Sequence, residues 1–232
     1  MCGRSSLTVL QKDLEKRFNA SFYSDDLLQY NPLPNYNVAP THMHPVITNI
    51  DPDHIQYFRW GLIPFWAKDM KVGYKMINAR IETILEKAAF KTAFKKSRCL
   101  VPFDGFYEWK KTADGKQPYR IITTNTDVFS VAGLWAEWTS PEGQTIQSFT
   151  LLTQEPNELM KPIHNRMPVI LTPEQEAIWL DESLPPDALR DMIQPYPDEW
   201  MRAYPVSHRV GNVKENDLEL IREIPIQTTL NL

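Results

Sequence analysis

Apolar residues recur along this chain with two different periods, and the switch between them sets the expected architecture. Leu10, Leu14 and Phe18 stand four apart, the spacing of one helical face, and predict a first amphipathic helix over residues 7–18. A loop rich in proline and asparagine follows through 31–36. Apolar, β-prone runs then occupy 45–49, 55–62, 98–109, 119–124, 128–138, 145–153 and 167–171. Between them, residues 84–94 read as a helix with an apolar stripe and a lysine face. Past Leu171 the pattern returns to helix. Thr172 offers an N-cap hydroxyl, Pro173 suits the first helical position and Glu174 follows at once. A short helix is expected from Pro186 and a last strand over 200–206. Trp135 and Trp138 are assigned to the core. Strands mixed with a few helices, without a βαβ rhythm, predict an α+β fold. Its expected form is a mainly antiparallel, barrel-like β-sheet with a few flanking helices, in a single domain over residues 1–232.

Composition sharpens this picture. A chain of 232 residues with 42% hydrophobic positions can bury a core and does not read as disordered. Nineteen prolines against eight glycines imply corners turned by proline and many short irregular segments. No stretch approaches the roughly 20 apolar residues that a membrane helix needs. Arg4 precedes no apolar run, so no secretory signal is expected. Two cysteines, Cys2 and Cys99, make no disulfide framework and suggest a reducing, cytoplasmic setting, nucleoid-associated in a bacterium. His42 and His44 stand two apart, but two ligands do not make a metal site, so no metal or other cofactor is expected.

The net charge of −4 excludes a general nucleic-acid coat protein, yet the charge is unevenly spread. Between Lys68 and Arg98 nine basic residues meet only Asp69, Glu82 and Glu86. A basic segment on an acidic chain reads either as a solvated helix face or as a limited phosphate-binding groove.

Five places could carry chemistry. Cys2 follows Met1, and its loss would leave an amino-terminal 1,2-aminothiol, with an amine of pKa about 7.7–8.0 beside a thiol near about 8.5. Such an amine condenses with an aldehyde, and the neighbouring thiolate can close the imine to a five-membered thiazolidine. The bland reading is a cysteine there by chance. Asn78 and Arg80 share one side if their segment is extended, an amide to orient a nucleophile or sugar and a guanidinium for phosphate. In the run 103–109, a strand would put Phe106 and Glu108 on one face and Tyr107 and Trp109 on the other. A glutamate on an apolar face would have a raised pKa and could move protons near neutrality; a buried ion pair is the alternative. His164 could relay a proton, with Arg166 two positions on repeating the role of Arg80. Trp60, Phe65 and Trp66 lie beside the basic segment, suited either to the core or to stacking on unpaired bases.

In order along the chain, these segments resemble the SRAP family (SOS-response-associated peptidase proteins), which crosslink to abasic sites in single-stranded DNA. The resemblance rests on Cys2-Gly-Arg4, Tyr36-Asn-Val-Ala-Pro-Thr41, Trp60-Gly-Leu-Ile-Pro64, Asn78-Ala-Arg80 with Glu82-Thr83, and Arg98-Cys-Leu-Val-Pro102. It continues through Asp104-Gly-Phe-Tyr-Glu-Trp109, Gly133-Leu-Trp135, His164-Asn-Arg-Met-Pro168 and Val210-Gly-Asn-Val213. It implies that Cys2 is the nucleophile, that Glu108 and His164 are the acid–base pair, and that Asn78 positions Cys2 or the sugar. Arg80 and Arg166 would hold phosphates on either side of the lesion, with Arg4 and Trp66 nearby. The implied partner is single-stranded DNA carrying an abasic site, bound by a monomer, with lyase chemistry as a side reaction. Removal of Met1 could be the chain's own work or an aminopeptidase's. A cysteine peptidase acting on other polypeptides and a non-covalent single-stranded DNA binder stay open as alternatives.

Overall fold

A computed structural model describes residues 2–30, 33–113 and 115–225. In chain order the strands are β1 (Ser5–Leu7), β2 (Ser21–Phe22), β3 (Asn35–Val38), β4 (Met43–Thr48), β5 (Asp51–Trp60), β6 (Asn78–Arg80), β7 (Arg98–Phe103) and β8 (Gly105–Thr112). They continue with β9 (Gly115–Thr123), β10 (Phe129–Thr139), β11 (Thr145–Gln154), β12 (Met167–Pro168), β13 (Ile170–Leu171) and β14 (Met201–Pro205). The helices are α1 (Gln11–Phe18), α2 (Ser24–Gln29), α3 (Ala88–Lys96), α4 (Pro173–Leu180) and α5 (Pro186–Asp191).

Five strands close on themselves. β4 pairs antiparallel with β5 and with β7, β7 with β10, and β10 with β11. β11 then runs parallel to β5, with Ser148 opposite Arg59 and Phe149 opposite Trp60, which completes the ring. Alternate side chains point to one face of a strand. Phe58 and Trp60, Val101 and Phe103, Phe129 and Val131, and Phe149 and Leu151 accordingly join one buried cluster. Each buried aromatic of this kind contributes about 1.5–3 kcal/mol. Gly133 is needed here, because a Cβ would come within 2.8 Å of both Cys99 Sγ and Val101 Cγ2.

A second sheet, ordered β14-β9-β8-β1-β3, lies against the ring. Phe106, Ile121 and Cys2 enter the ring's cluster, whereas Tyr107 and Tyr204 pack with Val206, Val210 and Leu220 in a separate one. The expected alternation along 106–109 is therefore what the strand shows. The α+β class and the barrel-like sheet also hold.

Several boundaries differ from the sequence expectation, each for a local reason. Residues 98–109 are two strands, broken at Asp104. Its buried carboxylate accepts from Ser6 Oγ at 2.6 Å, Thr8 N at 2.7 Å, the Thr8 hydroxyl and Arg120 Nη2 at 3.0 Å, so the chain turns from ring to second sheet around it. Gly105 follows because a Cβ there would meet Arg120 Nε at 2.6 Å. The first helix begins at Gln11, not 7, since Ser5–Leu7 pairs with β3 and β8, leaving Leu10 exposed. The lysine-bearing helix is shifted to Ala88–Lys96. Buried Arg98 donates to Phe94 O at 3.1 Å and Lys95 O at 3.0 Å, satisfying carbonyls that would otherwise end it sooner. Thr172 caps α4 in a capping box whose partner is Gln175. Residues 31–32 of the expected loop lie outside the described residues, and 35–38 form β3. Trp138 is buried, while Trp135 is only partly so. Among the described residues no helix is long and apolar enough to cross a membrane.

Candidate active site

Three elements converge on Cys2. The residue is 1% exposed and belongs to the ring's apolar cluster. Its segment is tied to β8 by Tyr107 N donating to Arg4 O at 2.9 Å, and β1 continues that pairing with Ser5 opposite Phe106. The second element is β6, which pairs in parallel with β11, Asn78 opposite Leu151 and Arg80 opposite Thr153. This extended segment puts Asn78 Nδ2 2.7 Å from the Cys2 carbonyl, to which it donates. Asn78 Oδ1 is buried and has no hydrogen-bond partner among the described residues. The third element is β8 itself, whose Glu108 shares a face with Phe106 and is 3% exposed.

His164 reaches Glu108 from the segment before β12, its Nε2 3.8 Å from Glu108 Oε2. His164 Nδ1 lies 3.1 Å from Arg166 N and 3.2 Å from Arg166 O, so the Arg166 backbone holds the ring with Nε2 toward Glu108. Burial pushes the Glu108 carboxyl up to about 7, against the positive chain terminus and the Trp109 amide, which pull it down. Burial likewise lowers His164, with the same terminal charge adding to the effect and the Arg166 carbonyl opposing it. The Cys2 thiol is pushed well above its ordinary value, first by burial and then by the Glu108 charge. A glutamate whose carboxyl is raised to about 7, beside a histidine biased toward its neutral form, is equipped to pass a proton in either direction.

The other four expected residues are placed differently from one another. Arg80 is exposed at the end of β6. Arg166 is 9% exposed and forked onto Glu82, Nη1 to Oε1 at 2.7 Å and Nη2 to Oε2 at 2.8 Å, with Nη2 also donating to Thr153 O at 2.7 Å. Arg4 donates to Asn37 Oδ1 at 2.8 Å and to Val210 O, and its guanidinium lies 6.0 Å from the Trp109 ring. That places it with the face of β8 opposite Glu108. Trp66, 54% exposed, stands on the loop between β5 and β6. The structure thus sets Asn78 against Cys2 and His164 against Glu108, with the Arg166 backbone holding His164.

Two features went unassigned in the sequence. Glu82 holds Arg166, and Arg120 with Asp104 and Ser6 locks β1 beside β8. The Asp104-Gly105 pair is a turn signal inside an apolar run and marks the second of these; nothing local marks the first. His42 and His44 do not converge on a metal-like cluster: His44 is buried with Nε2 2.7 Å from Pro102 O, while His42 Nδ1 accepts from Ala39 N at 3.3 Å.

The family model described as SOS response associated peptidase (SRAP) matches residues 1–213. Abasic site processing protein YoqW of Bacillus subtilis is 44% identical over 224 residues, covering 95% of this chain and 99% of that one. Abasic site processing protein HMCES of Xenopus tropicalis is 34% identical over 272 residues, covering 97% of this chain and 78% of that protein. A crystal structure of a Bacteroides thetaiotaomicron protein superposes with a TM-score of 0.90 at 30% identity, covering 97% of this chain and all of that one. The chain belongs to the SRAP family, among the abasic-site-processing proteins.

Proposed function

We propose that the protein traps the aldehyde of an abasic site in single-stranded DNA covalently through Cys2, acting without a cofactor and as a monomer. The observation that carries this reading is the position of Cys2, its carbonyl held by Asn78 and its surroundings shared with a carboxyl poised near neutrality. Once Met1 is gone, the neutral amine of Cys2 attacks the aldehyde carbon of the ring-opened deoxyribose. A C–N bond forms and the oxygen takes a proton. Glu108, still protonated near pH 7, gives its proton to the departing hydroxyl, so water leaves and an iminium remains. Glu108 as carboxylate then accepts the thiol proton, and the sulfur closes onto the iminium carbon. The balance is protein plus DNA minus one water.

The remaining residues have roles around this sequence. The buried Oδ1 of Asn78 is available to a sugar hydroxyl. His164 relays a proton between Glu108 and the sugar oxygen. Arg80 meets a phosphate directly, and Arg166 meets one by exchanging Glu82 for it. Arg4 and Trp66 contact the strand farther from the reacting carbon. Elimination of the 3′ phosphate from the same imine would give lyase activity as a side reaction. Exposure of Cys2 requires cleavage of the Met1–Cys2 bond, by the chain itself or by an aminopeptidase. A peptidase using the Cys2 thiol on other chains would not need a free amino terminus, so masking the terminus separates that reading from capture.

Intact mass after incubation with a short single-stranded oligonucleotide carrying one abasic site tests this. The expected product is protein without Met1 plus DNA minus one water, absent in Cys2→Ser and when the terminus is acetylated. Absence of an adduct from a chain confirmed to begin at Cys2 would overturn the proposal.

A further inference from the structure

His164 and Glu108 meet across a seam of the fold. Glu108 stands on β8 in the second sheet, whereas His164 lies on the connection from β11, a strand of the ring, to β12, which pairs with it. The 3.8 Å between Nε2 and Oε2 is therefore set by how the two sheets are joined near that connection. Asn157 spans the seam there. It is 8% exposed, and its Nδ2 donates to Tyr196 O at 2.8 Å and reaches Met201 Sδ at 3.2 Å. Met201 opens β14 opposite Thr123 of β9, and β9 pairs with β8, Glu108 opposite Tyr119. The amide thus grips the sheet that carries Glu108.

The rest of Asn157 shapes the turn that carries the histidine. Its Oδ1 accepts from Met160 N at 3.1 Å, and its carbonyl accepts from Lys161 N at 3.0 Å. Met160 O then accepts from Ile163 N and from His164 N, both at 2.9 Å. The Asn157 N–H points at Met167 Sδ, 3.3 Å away at the start of β12, so the turn is fastened at both ends. Only a side chain with an acceptor and a donor on one short stem can cap the turn and grip the other sheet together. The precision matters, because a displacement of about 1 Å between reacting groups can cost about 10²-fold in rate.

We propose that Asn157 is a positioning residue for the proton relay: through Tyr196 and Met201 it ties the turn bearing His164 to the sheet bearing Glu108, and so fixes the separation of the two. The inference rests on the acid–base role given to Glu108 and His164 above. It adds a residue that touches neither the strand nor the reacting atoms.

Two substitutions in the full chain separate the tie from the turn. Asn157→Ser keeps a hydroxyl to accept from Met160 N but is too short to reach Tyr196 O, and Asn157→Asp keeps the shape and the acceptor without the donor. Both should lower the first-order crosslinking rate by about 10–100-fold. Affinity for an oligonucleotide carrying a tetrahydrofuran abasic analogue, which has no aldehyde, should stay the same. In a His164→Ala background neither should lower the rate further, because the group they position is gone. An equal loss in both backgrounds, or a wild-type rate in the Asn157 variants or in His164→Ala, would overturn the proposal. An NMR titration of the histidine rings without DNA gives a second reading. Burial holds His164 below its ordinary 6.5 and His44 at about 4. In Asn157→Ser the His164 ring should rise toward 6.5 while His44 stays at about 4. Movement of both rings would mean general loosening and overturn the positioning role, as would movement of neither. No adduct from the wild type would overturn the capture reading, and the ring titration then decides the tie by itself.

Discussion

Asp104 and Glu108 stand four residues apart, one just before β8 and one within it, and both are buried, at 8% and 3% exposure. Their surroundings are opposite. Asp104 is met by the guanidinium of Arg120, the hydroxyls of Ser6 and Thr8 and the Thr8 amide. Arg120 in turn donates to Tyr204 OH at 2.8 Å, which ties β14 into the same group. The neighbours of Glu108 are the imidazole of His164, the positive charge of the chain terminus and the Trp109 amide, and burial outweighs them. A buried carboxylate matched by a fixed cation holds strands in register. One whose burial outweighs its compensating partners keeps its proton until near pH 7 and can give it away. The comparison separates what the segment does for the fold from what it does for the chemistry.

The largest expected effect comes from breaking the first of the pair. Arg120→Met leaves the Asp104 carboxylate without its cation and should cost about 3–5 kcal/mol in urea unfolding. Loss of less than about 1 kcal/mol would mean that the hydroxyls suffice. Glu108→Gln should act in the other direction. The folded chain holds the Glu108 proton to about pH 7, while the unfolded chain releases it near 4.5. Between those values the folded state binds more protons, so its stability falls as pH rises. The favourable contribution is complete below pH 4.5 and lost above about 7. Glu108→Gln, which does not titrate, should therefore stabilise the fold at pH 8 by up to about 3 kcal/mol, with no gain at pH 4. The same variant should slow crosslinking by roughly 10²–10⁴-fold with DNA affinity nearly unchanged. A variant less stable than wild type at pH 8 would place Glu108 with Asp104, as a structural group.

Much of this contrast was legible in the sequence, because strand alternation alone sets Glu108 beside Phe106 and apart from Tyr107 and Trp109. The strong apolar runs gave the ring's strands for the same reason: a buried strand face needs alternate apolar residues wherever it pairs. What escaped was decided by partners far away in the chain. Asn35–Val38 and Asn78–Arg80 carry little apolar pattern and are strands only because β1 and β11 supply their hydrogen bonds. The C-terminal reach of α3 depends on Arg98, a residue that local propensity treats as part of the next strand. Arg166 looked like a phosphate ligand from its neighbours in sequence, but its present partner Glu82 lies 84 residues away.

Asn78→Ala sharpens the comparison at the nucleophile. It removes the bond from Asn78 Nδ2 to the Cys2 carbonyl, a loss of about 1 kcal/mol, and should lower the first-order crosslinking rate by roughly 5–10-fold with the binding constant little changed. An equal loss in binding and in rate would assign Asn78 to the strand rather than to Cys2.

The smallest effects concern the two arginines, and they test whether Arg166 exchanges partners. Partial burial pushes the Glu82 carboxyl up, but its bonds to Arg166 outweigh that and hold it below the ordinary range, so the pair is an ion pair at neutral pH. A phosphate must displace that carboxylate to reach the guanidinium fork. Removing the competitor should then help binding: Glu82→Gln is expected to tighten DNA association roughly two- to fivefold, the worth of one partly exposed ion pair. Arg80→Ala should lower the salt slope by about 0.7, since an exposed guanidinium meets its phosphate directly. If Arg166→Ala lowers the slope equally, both arginines neutralise phosphates in the complex. If Arg166→Ala leaves the slope alone and Glu82→Gln weakens binding, the Arg166–Glu82 fork survives in the complex. Its function would then match that of Arg120 with Asp104, a cation spent on holding the backbone that carries His164.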